Sequence, residues 1–205
     1  MKIQLALDRL SKKECFSIIN ETYDYIDWIE IGTSVIKEYG MDIVRDIRKE
    51  FPHKKIVADM KICDAGGYEA EQAFKAGADI TTVMGFSSNL TITDTLNVAQ
   101  KYNKEMMIDL LEINNRKRVE EIVNLGADLL SLHVGKDKQT KYGFQTDLFE
   151  LVEGLPVDIS VAGGIRLQNI ESIKTFKPKV IIVGSAITNS ESPGEQAKLF
   201  KQALI

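Results

Sequence analysis

The chain has 205 residues, 44% hydrophobic and 27% charged, the profile of an ordinary globular protein large enough to bury most of its apolar surface in one domain, residues 1–205. Its formal net charge is −4 with no extended block of Lys or Arg, which argues against nucleic acid and anionic membrane as partners. Nothing approaches the roughly 20 apolar residues of a membrane span, and Met1–Asp8 is too short and too soon charged for a signal peptide. Two cysteines, Cys15 and Cys63, without CxxC spacing argue against a disulfide framework or a zinc site, so the expected setting is cytoplasmic.

In chain order, short β-branched runs alternate with longer amphipathic segments. Ile3–Leu7 reads as a first strand ending on Asp8. Ser11 and Glu14 form a capping-box pair that opens a helix to about Tyr23. Trp28–Ile31 is a second strand carrying Glu30, and after Gly32-Thr33 the pattern predicts one helix to about Glu50. Lys55–Asp59 is the third strand, with a helix over Gly67–Ala76 closed by Gly77. Asp79–Met84 and Glu105–Leu110 follow as strands, with helices over Leu90–Tyr102 and Lys117–Leu125, the latter closed by Gly126. Asp128–His133 is the sixth strand, followed by a helix over Thr146–Glu153. Val157–Val161 and Val180–Val183 complete the set, with helices from about Leu167 and from Pro193, a residue suited to a first helical turn. Eight strand–helix units without a linker predict an α/β fold, a (β/α)₈ TIM barrel. A doubly wound sheet has fewer units, and no G-x-G-x-x-G follows the first strand.

In such a barrel, charges at strand C-termini converge on one mouth. Asp8, Glu30, Asp59 with Lys61, Asp109 and His133 fall at or just past the ends of strands one, two, three, five and six. The stretch Asp59-Met60-Lys61-Ile62-Cys63-Asp64 places two carboxylates around one ammonium at a strand tip, an arrangement that must pair internally or with a ligand if buried. Taken singly, each is as well explained by a solvated strand end, and a lone His after an apolar strand is more often structural than catalytic. Four carboxylates around one Lys require a cation, and hard oxygen donors suit Mg²⁺. Val161-Ala162-Gly163-Gly164-Ile165 and Val183-Gly184-Ser185-Ala186 end strands seven and eight with glycines that let backbone N–H groups approach an anion, the common phosphate position of this fold. Glycines also end strands for steric reasons.

These segments, together with Ile29-Glu30-Ile31-Gly32-Thr33 and Ala58–Gly66, resemble the orotidine 5'-monophosphate decarboxylase suprafamily over essentially the whole chain. Within it they are similar to the branch that holds the 3-hexulose-6-phosphate synthases and the 3-keto-L-gulonate-6-phosphate decarboxylases. Asp109 and Ser185-Ala186, where the decarboxylases carry Glu and Arg, and His133-Val134-Gly135 without a following Arg, resemble the synthases. Leu111–Asn115 and Thr140–Gly143 depart from the usual pattern at the mouth.

The resemblance implies a homodimer with shared active sites, using Mg²⁺ and acting on a sugar phosphate. Glu30 and Asp59 would hold the metal, and His133 would move the proton. Lys61 would stabilise an enediolate with Asp8 and Asp64 orienting it, and Asp109 would be catalytic or supporting. Gly163, Gly164, Gly184 and Ser185 would hold the phosphate. Asp64 would reach the neighbouring subunit's site. The implied reaction adds formaldehyde to D-ribulose 5-phosphate. The alternatives are 3-keto-L-gulonate-6-phosphate decarboxylation, orotidine monophosphate decarboxylation and a non-catalytic sugar-phosphate binder.

Overall fold

The computed structural model describes residues 1–139 and 144–204. Eight parallel strands close into a barrel in sequence order: β1 Lys2–Leu7, β2 Trp28–Ile31, β3 Lys55–Ile62, β4 Ile80–Met84, β5 Glu105–Asp109, β6 Leu129–His133, β7 Asp158–Ala162 and β8 Val180–Val183. The ring shuts where Lys2–Leu5 of β1 lie beside Val180–Val183 of β8. The predicted (β/α)₈ TIM barrel is the observed fold.

The helices around it are α1 Lys12–Thr22, α2 Thr33–Tyr39, α3 Asp42–Glu50, α4 Gly66–Lys75, α5 Asn89–Tyr102, α6 Arg116–Asn124, α7 Ile170–Lys174, α8 Ser185–Thr188 and α9 Pro193–Ala203. The capping box forms as expected, with Ser11 N–H donating to Glu14 Oε2 at 2.7 Å and Glu14 N–H to Ser11 Oγ at 3.3 Å. Three expectations are corrected. The single helix after β2 is two, because Gly40 takes φ +63° and ends α2. The segment from Thr146 is a 3₁₀ helix, Thr146–Leu151, rather than an α-helix. Finally, β3 runs three residues past Asp59, with a register slip in its pairing to β4. Among the described helices, none is long and apolar enough to cross a membrane. Both cysteines are free thiols, Cys15 buried and Cys63 exposed.

Strand residues that point outward, such as Ile3, Leu5, Leu7, Ile29, Ile31 and Ile56, are fully buried under the helices. The inward set is different. Trp28, Val57, Ile80, Met107, Leu129 and Val180 fill the barrel's interior as a second core. Lys2 and Lys55 place their ammonium groups 5.6 and 4.8 Å from the Trp28 ring, which closes the end where the strands begin. With that end plugged, the space inside the barrel opens toward the strand C-termini.

Candidate active site

A cavity of about 780 Å³ lies at that open end, and it is lined by inward residues near or past the strand tips. Asp8, Glu30, Asp59, Lys61, Asp109 and His133 all line it, as do Gly163, Gly164, Gly184 and Ser185. The strand-tip residues singled out from sequence therefore share one space. Asp64 is the exception. It is exposed beyond β3, where its carboxylate accepts from the Ala65 N–H at 2.8 Å.

Lys61 bridges two carboxylates. Its Nζ lies 2.7 Å from Asp109 Oδ2 and 3.1 Å from Asp59 Oδ2. Burial alone would lower the ammonium's pKa, but the charges of Asp59 and Asp109 outweigh it and raise the value. Lys61 is thus a fixed cation. Within this chain Asp59 and Asp109 hold the ammonium, whereas Asp8, expected to help orient it, accepts from the N–H (3.2 Å) and hydroxyl of Ser34.

Asp109 is nearly fully buried and holds a second partner, His133, whose Nδ1 lies 2.9 and 3.0 Å from its two oxygens. Burial pushes the Asp109 carboxyl up, but His133 and Lys61 more than reverse this, so it lies well below the usual carboxylate range. For His133, burial favours the neutral ring, while the bond to Asp109 outweighs it and raises the pKa above its ordinary value. With Nδ1 engaged, Nε2 is the ring nitrogen left to exchange a proton with a ligand.

Glu30 stands on the other side of Asp59. It makes no salt bridge among the described residues, and its Oε2 accepts a 2.6 Å hydrogen bond from the Gln4 amide. Burial, followed by the neighbouring Asp59 charge, pushes its carboxyl up to about 7. The Oε1 of Gln4 is buried without a hydrogen-bond partner among the described residues. Two crowded carboxylates and an unmatched amide oxygen make a hard-oxygen environment with excess negative charge, which fits a divalent cation. Among the described residues, no three His, Cys, Asp or Glu side chains group to enclose a metal by themselves. A cation here would complete its shell with water and ligand oxygens, the usual habit of Mg²⁺.

Across the cavity, Gly163 takes φ +94°, and a methyl group on it would lie 2.0 Å from the Val134 carbonyl oxygen. That glycine is required sterically. Ser185 and Ala186 begin α8, where first-turn N–H groups have no carbonyl behind them. Of the two atypical segments, Leu111 brings the first to the cavity wall and donates its N–H to Asp109 Oδ1 at 2.9 Å. Thr140–Gly143 lie outside the described residues.

Three polar residues were not among the sequence-based candidates. Thr33 Oγ1 lies 2.8 Å from Asp59 Oδ2, Thr82 Oγ1 lies 2.8 Å from Asp59 Oδ1, and Gln4 grips Glu30. Thr33 follows a strand-end glycine, a weak signal. Thr82 and Gln4 sit inside strands and carry none.

The model of the orotidine 5'-phosphate decarboxylase / HUMPS family matches residues 1–200. The chain is 36% identical over 206 residues to 3-hexulose-6-phosphate synthase of Mycobacterium gastri, covering all of both chains. It is 37% identical over 210 residues to the enzyme of the same name in Bacillus subtilis (strain 168), covering 100% of this chain and 99% of that one. A solved structure of a 3-hexulose-6-phosphate synthase, 37% identical and fully covered in both chains, superposes with a TM-score of 0.94.

Proposed function

The chain belongs to the orotidine 5'-phosphate decarboxylase / HUMPS family, and from that premise we propose that it is an aldehyde-lyase with the 3-hexulose-6-phosphate synthase reaction. It adds formaldehyde to D-ribulose 5-phosphate and forms D-arabino-hex-3-ulose 6-phosphate. The observation that carries this reading is Asp109, buried between Lys61 and His133 and facing the Glu30–Asp59 pair in one cavity. A proton-transfer group, a fixed cation and a hard-oxygen pair then meet where an α-hydroxy ketone can bind.

Glu30 and Asp59 would hold Mg²⁺ in this proposal, and the ion, when bound, would supply Lewis-acid polarisation of the substrate carbonyl. The residues do the rest. His133 Nε2 takes the proton from the carbon beside the carbonyl. Asp109 keeps the ring's tautomer and orientation, since its carboxylate stays ionised against Nδ1. Lys61, held positive, faces the oxygen on which charge develops. The enediolate carbon forms its new bond to formaldehyde, and the proton held by His133 passes to the resulting alkoxide. Gly163, Gly164, Gly184 and Ser185 hold the phosphate through backbone N–H groups and the Ser185 hydroxyl.

A homodimer belongs to the same proposal. Tyr68 near the start of α4, Phe86 after β4 and Leu90 in the first turn of α5 are 68%, 56% and 71% exposed, an uncommon density of large apolar side chains. Gly66 packs against Thr91, which brings these two helix starts together beside Asp64. A second copy covering this face would bury the patch and carry Asp64 toward the partner's cavity.

The test is loss of formaldehyde in a mixture of purified protein, Mg²⁺, ribulose 5-phosphate and formaldehyde. Loss that disappears with EDTA and in His133→Ala is the expected result. No loss, with CO₂ released from 3-keto-L-gulonate 6-phosphate, would overturn it.

A further inference from the structure

Lys61 has a backbone φ of +49°, in the left-handed region that a long L side chain rarely enters. It lies inside a strand, at the point where β3 and β4 lose register. Ala58 pairs with Thr81 and Ile62 with Val83, so four steps along β3 answer two along β4. The surplus residues form a bulge, a device that re-aims side chains beside active sites. Beside it, Asp59 and Lys61 both line the cavity and touch each other. A strained backbone of this kind persists only where its surroundings over-determine it.

One side chain supplies that constraint. Thr82, inward on β4 and 4% exposed, accepts the Lys61 N–H at 2.9 Å and donates to Asp59 Oδ1 at 2.8 Å through the same oxygen. Both directions are forced, because an amide N–H only donates and a carboxylate only accepts. The hydroxyl therefore fixes the backbone that aims the ammonium and the rotation of the carboxylate beside it. Thr33, the first residue of α2, grips the other oxygen of Asp59 at 2.8 Å, so the carboxylate is clamped from both β4 and the start of α2. Without the Thr82 hydroxyl, the part-buried Lys61 N–H loses this acceptor, and the bulge loses its side-chain tie to β4.

We propose that Thr82 is a positioning residue for the reaction, holding Lys61 in its left-handed conformation and Asp59 in its rotamer. The inference rests on the functional reading above, and it has a geometric consequence that does not. Thr82→Val keeps the shape and removes the hydroxyl; Thr82→Ser keeps the hydroxyl and removes the methyl. Thr82→Ala also lacks the hydroxyl and serves if the valine variant does not fold.

In formaldehyde-loss kinetics, Thr82→Val and Thr82→Ala are expected to lower kcat by roughly 10–100-fold, the scale of a small misplacement. KM for ribulose 5-phosphate should stay within about threefold, because transition-state rather than ground-state contacts are lost. Thr82→Ser should restore kcat. Crystal structures of the variants should show Lys61 leaving the left-handed region in Val or Ala and staying there in Ser. Unchanged kcat in Thr82→Val, or a serine variant as slow as the valine one, would overturn the proposal. So would a Lys61 that keeps its positive φ without the hydroxyl. If the parent protein shows no turnover with formaldehyde, the functional reading fails, while the crystal structures still decide what Thr82 holds.

Discussion

Both ends of the barrel are ringed with charge, and the two rings are built on different terms. Where the strands begin, Lys55 pairs with Glu105, Lys179 with Asp158 at 2.5 Å, and Asp79 with Arg48 and with Lys104 at 2.6 Å. Each of these charges has an opposite neighbour and is partly open to water. At the mouth, Asp59 and Asp109 share Lys61, Asp109 also holds His133, and Glu30 makes no salt bridge among the described residues. A balanced, half-exposed ring ties strand starts together at little gain or loss. An unbalanced, buried one costs stability in the empty protein and is favourable only when a ligand completes it. That contrast separates the structural end from the reactive end without reference to any relative.

The comparison is sharpest in rate. Lys61→Met is expected to lower kcat by on the order of 10²–10³, the usual cost of one preorganised electrostatic group. Lys55→Met, at the other end, should leave kcat unchanged in the same formaldehyde-loss assay. Equal losses for the two lysines would break the distinction.

Stability should move the opposite way at Glu30. Its folded pKa of about 7 stands above the ordinary value of 4.5, so relative stability is present below about pH 4.5 and is lost as pH rises to about 7. Above that, the ionised group destabilises the cation-free protein. Glu30→Gln should therefore abolish activity yet stabilise EDTA-treated protein at pH 8, by on the order of 2–3 kcal/mol. The gain should vanish near pH 4.5, and Mg²⁺ should raise the Tm of the parent but not of the variant. Thermal melts at the two pH values decide it; a destabilised variant at pH 8 counts against the excess-charge reading.

His133 has a raised folded pKa through its bond to Asp109. The stabilisation from that pair is full below its unfolded value, about 6.5, and is lost as pH rises through the folded value. The Tm difference between the parent and His133→Asn should be largest near pH 6 and shrink toward pH 9. A difference independent of pH would mean that the ring is held by packing and not by charge.

The smallest effect belongs to the ring of strand starts. Lys179→Met removes an ion pair whose partners are 33% and 53% exposed. After solvent screening it should cost no more than about 1 kcal/mol in urea unfolding, with unaltered kcat.

Much of this was legible in the amino-acid order. The eight strands follow from short β-branched runs, buried on both faces and separated by helical segments with Ser11-type starts and Gly77- or Gly126-type stops. Glu30, Asp59, Lys61, Asp109 and His133 were recoverable because a parallel barrel sends every strand tip to one mouth, so position along a strand suffices to gather them. The break at Gly40 was hidden because a helical pattern continues on both sides of it. The resemblance implied Asp8 and Asp64 as the residues that orient Lys61, whereas within this chain its ammonium is held by Asp59 and Asp109, a pairing set by where β3 and β5 stand in the barrel.

What the chain determines by itself is therefore the barrel and the list of charges at its mouth, since both follow from local pattern and a parallel topology. What only the tertiary structure decides is which neutral residues serve those charges. Thr81 and Thr82 are adjacent and chemically identical, yet Thr81 donates to the Ala58 carbonyl while Thr82 reaches Asp59 and the Lys61 N–H. The choice between them is made by register against β3, where Ala58 pairs with Thr81. A slip of one residue exchanges the faces of a strand without altering its composition, so no count or period in the chain records it.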